Sequence, residues 1–217
     1  MKGTEPTADI KIKIEEGIKI LKRGGIVAYP TDTVYGLGAC ADNYQAVKRI
    51  YEVKNRPMDM PLPLLVSDTS WIERLTPSIS ETAQKLIDSF MPGALTLVMK
   101  KADSVPDIIS GGKETIALRI PGHPVTIALI KGIESPLIGT SANLSGNNSA
   151  LTADEVRSQL GDEIDYILDA GRCPGGIEST ILDLTREIPV VLREGAIPAV
   201  EIDKVCKLNF SGEEKGI

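Results

Sequence analysis

The apolar residues of this chain are gathered into short runs, and that pattern limits what it can fold into. Ile26 to Tyr29, Leu64 to Val66, Leu95 to Met99, Leu137-Ile138 and Val190 to Leu192 are too brief for helices, and Gly, Pro or polar residues punctuate each one. Such runs read as buried strands. Segments at 115–120, 166–168 and 180–184 read the same way. Between them lie helical periodicities. Ile10, Ile14, Ile18 and Leu21 form one stripe, with Asp9 as cap and Gly24-Gly25 as stop; the Lys/Ile alternation over 10–14 also fits a strand. Asn43 caps a helix to about 53 that turns Ala46, Val47, Ile50 and Tyr51 inward. Further helices are expected over 80–90 and 125–130, and the capping box Thr152–Glu155 opens one to about 160. Helices and strands alternate without strict βαβ regularity, and the last strands follow one another through turns. The expected fold is therefore a single α/β domain, a twisted mixed sheet flanked by helices. It spans residues 1–208, with 209–217 a frayed tail.

Charge and rare residues remove whole classes of function. Lys plus Arg is 24 against 30 for Asp plus Glu, a net charge of -6, so the chain is not built for bulk attraction to phosphate backbones. Aromatics at 4% leave little for an extended base-stacking platform. Cys40, Cys173 and Cys206 are far apart and form no CxxC, which suits reduced thiols of a cytoplasmic protein and no zinc spacing. The single histidine, His123, sits between Gly122 and Pro124, where it reads as a loop or helix-start residue. No apolar run is long enough to span a bilayer, and the first fourteen residues lack a signal-peptide core, so no membrane association is expected.

The familiar nucleotide motifs fail. Gly112-Lys113 lacks the upstream glycine and the following hydroxyl of a P-loop. Gly36-Leu-Gly38-Ala-Cys-Ala41 matches a relaxed dinucleotide pattern, but the next helix starts near Asn43, so the glycines read as those of a tight loop. What stands out is a set of hydroxyl and cationic residues where strands end: Pro30 to Thr33, Lys54 to Arg56, Thr140 to Asn143 and Glu178 to Thr180. Lys54 and Arg56 belong to a proline-stiffened loop, which lowers the entropic cost of aiming two cations at one anion. Arg119 ends an apolar strand, where it is costly unless it meets a carboxylate or phosphate. Arg193 ends another. Together these residues describe a pocket for a small, multiply anionic ligand.

The run Tyr29-Pro-Thr-Asp-Thr-Val-Tyr-Gly-Leu-Gly38, then Lys54, Arg56-Pro57, Pro61-Leu62, Pro92 to Thr96, Arg119 to Pro121, Ser141 to Asn143, Ser179-Thr180 and Arg193 to Gly195, resembles the YrdC-like threonylcarbamoyl-AMP synthase family. The resemblance covers about residues 25 to 195, and the catalytic region ends near the end of the chain, as in the family's short, single-domain form. It implies a concave basic cavity in which L-threonine, bicarbonate and ATP become threonylcarbamoyl-AMP and pyrophosphate. The product feeds a downstream tRNA threonylcarbamoyl transferase machinery that modifies ANN-decoding tRNAs. It also implies roles. Thr31, Arg119 and Ser179 hold the threonine; Lys54 and Arg56 are the catalytic cations on phosphate and bicarbonate. Lys54, Arg56, Thr115, Ser141, Asn143, Ser149 and Arg193 contact ATP. Mg2+ arrives with the triphosphate, and no metal bound by protein ligands is expected. Met60 stands where the family often has Lys or His, which throws more weight on Lys54 and Arg56. The alternative reading is a double-stranded RNA or tRNA-binding module of the same fold, binding RNA weakly.

Overall fold

The structure is a computed structural model that describes residues 6–207; the tail expected at 209–217 lies outside them. In chain order the elements begin with α1 (Ala8–Lys22), β1 (Val27–Tyr29), β2 (Gly36–Gly38), α2 (Tyr44–Val53), β3 (Leu64–Leu65) and α3 (Thr69–Leu75). Next come α4 (Glu81–Phe90), β4 (Leu95–Lys100), α5 (Asp107–Ser110), β5 (Thr115–Arg119) and α6 (Pro124–Ile133). The chain continues through β6 (Leu137–Ile138), β7 (Thr140–Ser141), α7 (Ala153–Leu160), β8 (Tyr166–Ile167), β9 (Thr180–Asp183), β10 (Val190–Arg193) and α8 (Ala199–Cys206).

The described strands pair into two mixed sheets rather than the single sheet expected. One runs β7-β2-β1-β8 and the other β10-β9-β4-β5-β3-β6. In the larger sheet β4 pairs parallel with β9 and antiparallel with β5, while β3 pairs parallel with β5 and antiparallel with β6. The segment 137–141 joins the two sheets. Ile138 N–H donates to Ala39 O at 2.9 Å and Gly139 N–H to Pro63 O at 2.9 Å, and the next two residues become the edge of the smaller sheet.

Strand alternation then decides which side chains face where. Along β5, Ile116 and Leu118 point into the main apolar core with Leu95, Leu97 and Leu182. Thr115, Ala117 and Arg119 point to the opposite face. A second apolar cluster lies where α1 meets α6 and includes Ile14, Leu21, Val27, Leu129 and Leu137.

The segment with two readings is helical. Thr7, not Asp9, caps α1, its hydroxyl accepting from Ile10 N–H at 3.4 Å. Asp9 falls inside the first turn, where it pairs with Lys13 and complements the helix dipole. Asn43 and Thr152 cap α2 and α7 as expected. His123 caps α6, its Nδ1 accepting from Val125 N–H at 3.3 Å.

Gly36 and Gly38 are strand residues, not loop residues, and the reason is packing. The Tyr29 ring lies against both, and its hydroxyl donates to Ile138 O at 2.7 Å. A Cβ on Gly38 would sit 2.5 Å from Ile138 O and 2.8 Å from the ring. Gly38→Ala is therefore expected to destabilise the protein by about 1–3 kcal/mol, the usual cost of overpacking. A shifted denaturation midpoint measures it; an unchanged one means that Tyr29 has another place to go.

Candidate functional site

The face of the larger sheet that carries Thr115, Ala117 and Arg119 also carries Thr96 and Val98 from β4 and Ile181 and Asp183 from β9. These residues floor an open hollow of about 550 Å³. Its walls come from the smaller sheet and its connections (Thr31, Thr33, Tyr35, Ser141), from the proline-rich loop (Arg56, Pro61, Pro63) and from Glu178, Ser179 and Arg193. Of the site residues expected from sequence, Thr31, Arg56, Thr115, Arg119, Ser141, Ser179 and Arg193 meet here. Lys54, Asn143 and Ser149 do not line it.

Arg119 is 6% exposed and its cost is met by the protein itself. Nη2 donates to Asp32 Oδ1 at 2.6 Å, Nε to Gly93 O at 2.8 Å and Nη1 to Thr33 Oγ1 at 3.1 Å. Three of its five N–H groups are engaged by these bonds, so two remain for a ligand. Asp32 also accepts from Gly122 N–H at 2.9 Å, which ties the 30–33 loop to the turn after β5.

A directional chain follows. Thr31 Oγ1 donates to Val34 O at 2.7 Å and lies 2.9 Å from Thr33 Oγ1, so Thr33 must supply the proton between the two hydroxyls. Thr31 also accepts from Thr33 N–H at 3.0 Å. Its hydroxyl is saturated, and Thr31 can hold a ligand only by shape or by exchanging a bond. Ser179 Oγ pairs with Thr96 Oγ1 at 2.9 Å.

Lys54 was expected beside Arg56 on phosphate; the structure places it behind the wall, 2% exposed. Its ammonium donates to Ser141 O at 2.5 Å, Asn143 O at 2.7 Å and Asn143 Oδ1 at 3.2 Å. Ser141 Oγ donates to Asn143 Oδ1 at 2.6 Å, and Asn143 Nδ2 to Asn147 O at 2.6 Å. One buried cation thus holds the whole 141–147 turn. Burial, then the charge of Arg56, bring its pKa down to about 8 against the pull of Glu178.

Arg56 faces the hollow. It donates from Nη2 to Pro61 O at 2.9 Å and from Nε to Met60 O at 3.3 Å, and burial lowers its pKa. Met60 therefore works through its carbonyl, which also accepts from Tyr51 OH at 3.1 Å; its side chain is 45% exposed. Tyr51 OH reaches Ile108 O at 2.8 Å as well, seating this loop against the approach to Lys113.

Sequence reasoning missed several lining residues. Lys113 and Arg186 are cations of the lining, as are Arg56, Arg119 and Arg193; Glu178 and Asp183 are its carboxylates. Glu178 pairs with Arg193, and Asp183 with Arg186. Arg56 and Lys113 make no ion pair with a carboxylate among the described residues. The hollow is thus more positive than an acidic chain would suggest. In the sequence Lys113 figures only in a failed P-loop.

The fold and lining define a class: an α/β domain whose sheet face opens into a hollow lined by hydroxyls and arginines. The chain belongs to the Sua5/YciO/YrdC family, whose profile, described as "Telomere recombination", matches residues 19–195. It is 44% identical over 195 residues to the threonylcarbamoyl-AMP synthase of Pyrococcus abyssi, covering 90% of this chain and 57% of that protein. To the threonylcarbamoyl-AMP synthase of Bacillus subtilis it is 43% identical over 194 residues, covering 89% and 56%. The crystal structure of P. abyssi Sua5 complexed with L-threonine superposes with a TM-score of 0.88 at 43% identity, over 93% of this chain and 58% of that one. The chain spans little more than half the length of these relatives.

Proposed function

We propose that the protein forms threonylcarbamoyl-AMP and pyrophosphate from L-threonine, bicarbonate and ATP. The observation that carries this reading is the convergence of Thr31, Arg56, Thr115, Arg119, Ser141, Ser179 and Arg193, from distant parts of the chain, on one hollow. The P. abyssi relative bound to L-threonine supports the amino-acid end of the reading.

The chemistry needs two steps. The neutral amine of threonine attacks the carbon of bicarbonate, and water leaves to give a carbamate. A carbamate oxygen then attacks the α-phosphorus of ATP, and pyrophosphate departs with the electron pair of the broken P–O bond. Both steps depend on alignment and charge neutralisation, and neither requires a protein nucleophile. Arg119 offers its two remaining N–H groups to the threonine carboxylate, with Ser179 beside it. Arg56 and Lys113 neutralise the departing pyrophosphate, and Lys54 acts through the turn that presents Ser141. Threonylcarbamoyl-AMP is then the donor for a tRNA threonylcarbamoyl transferase.

The lining carboxylates do not fit a metal cage. Glu178 is held by Ser149 and Arg193, and Asp183 by Thr185 and Arg186. Mg2+ carried in on the triphosphate would keep most of its coordination to phosphate and water.

The test is pyrophosphate release that requires threonine and bicarbonate together; ATP turnover indifferent to threonine rejects the reading. In the same assay Arg56→Ala is expected to lower turnover at least about tenfold. Its denaturation midpoint should barely move, because among the described residues the Arg56 side chain bonds only to carbonyls of its own loop. Wild-type kinetics for this variant would remove Arg56 from the reaction.

A further inference from the structure

A carboxylate in the wall of an anion-binding hollow repels the ligand unless it does other work. Glu178 is such a residue, and both of its oxygens are engaged. Oε1 accepts from Ser149 Oγ at 2.5 Å, and Oε2 pairs with Arg193 Nη1. Arg193 is fixed further by Ser179 O, which accepts from Nε at 3.1 Å and from Nη2 at 2.9 Å. Nη2 also reaches Ser179 Oγ at 3.3 Å.

Ser149 and Arg193 belong to segments far apart in sequence, the stretch after the 141–147 turn and the end of β10. Glu178, itself in the lining, is the group that joins them. The backbone beneath is tight as well. Ala196 N–H donates to Glu178 O at 2.8 Å, and a Cβ on Gly195 would lie 2.2 Å from that oxygen.

We infer that Glu178 is a positioning residue for the nucleotide: held from behind by Ser149 on one oxygen, it presets Arg193 with the other before ATP arrives. The inference rests on the proposed reaction for the identity of the ligand. The physical gain is preorganisation. Arg193 and the 149 region are each partly solvent-exposed, and a clasp removes the ordering cost that binding would otherwise carry. That gain must exceed the repulsion between the carboxylate and a polyphosphate, and the two effects predict opposite signs on removal.

The experiment compares wild type, Glu178→Ala, Glu178→Gln and Ser149→Ala. It measures KM for ATP in the pyrophosphate assay, and calorimetric affinity for a non-hydrolysable ATP analogue and for threonine. Glu178→Ala should weaken ATP and the analogue about tenfold or more, the size expected when hydrogen bonds to charged groups are lost. Threonine affinity should stay within about twofold, since Arg119 and its partners are untouched and Ser179 Oγ keeps its bond to Thr96 Oγ1. Glu178→Gln, which can still bridge the two side chains, should recover most of the loss. The Glu178→Ala/Ser149→Ala double variant should cost little more than Glu178→Ala alone, as residues sharing one interaction do. ATP binding that is unchanged or tighter in Glu178→Ala overturns the clasp, and so do additive losses in the double variant. If Glu178→Ala fails to fold, Ser149→Ala and Glu178→Gln carry the same comparison. Wild type that binds the analogue but releases no threonine-dependent pyrophosphate would defeat the proposed reaction, while the analogue titrations would still judge the clasp.

Discussion

Arg119→Met is expected to cost about 3 kcal/mol of folding stability and to abolish the heat of threonine binding. The energetic part follows from what the guanidinium leaves behind. Asp32, 17% exposed at its side chain, loses its ion-pair partner at 2.6 Å. Gly93 O and Thr33 Oγ1 lose their donors. Removing one member of a buried pair typically costs 3–5 kcal/mol. The lower end applies here because Asp32 keeps Gly122 N–H and some water. Adding Asp32→Asn to Arg119→Met should recover part of the stability, since the stranded charge disappears, but none of the threonine binding. Urea denaturation and threonine calorimetry separate the two effects. An unchanged midpoint in Arg119→Met would show that the Asp32 pair does not hold the 30–33 loop. Persisting threonine binding would move the carboxylate site elsewhere.

The same residue shows where sequence reading stops. That Arg119 needs an anion was legible from its place on an apolar strand, and that it shares a face with Thr115 and Ala117 follows from strand alternation. That the anion is Asp32 was not, because nothing local links positions 87 residues apart. Lys54 makes the point in reverse. A lysine in a proline-rich loop next to an arginine reads as a second ligand cation, yet the 141–147 turn comes round and buries it. Only the tertiary fold decides whether a loop lysine faces the hollow or the wall. Gly36 and Gly38 satisfied a loop motif by composition, whereas their cause is the Tyr29 ring on the neighbouring strand. Short helices were the weakest signal. α3, α5 and α8 lack a long amphipathic stripe, and α5 and α8 also lack a capping side chain. Glu178 was visible in a hydroxyl-rich loop but had no role until Ser149 and Arg193 were brought to its two oxygens.

Lys54 gives the second large effect, and it separates stability from activity. Its pKa in the folded protein is about 8, against 10.5 for a free lysine. Between those values the unfolded chain binds the proton and the folded protein does not, so rising pH favours the folded state through this group. Over the full window the gain is roughly 3 kcal/mol, and over about pH 8 to 9.5 it is roughly 1–2 kcal/mol. Burial pushes the thiols of Cys40 and Cys173 up to about 11, and these groups act in the opposite direction. Their contribution is common to wild type and Lys54→Met and cancels in the difference between the two. That difference should therefore move in favour of wild type as pH rises from about 8 to 9.5. Activity should move the other way. A neutral amine has two hydrogens for three acceptors, so the turn that presents Ser141 and Asn143 loosens as the proton leaves. The ratio of wild-type to Lys54→Met kcat/KM for ATP, in which the rising neutral fraction of the threonine amine cancels, should fall above about pH 8 while resistance to urea relative to Lys54→Met increases. Parallel stability curves for the two proteins would mean that Lys54 keeps an ordinary pKa. A flat ratio across the same range would mean that its proton is not what holds the turn.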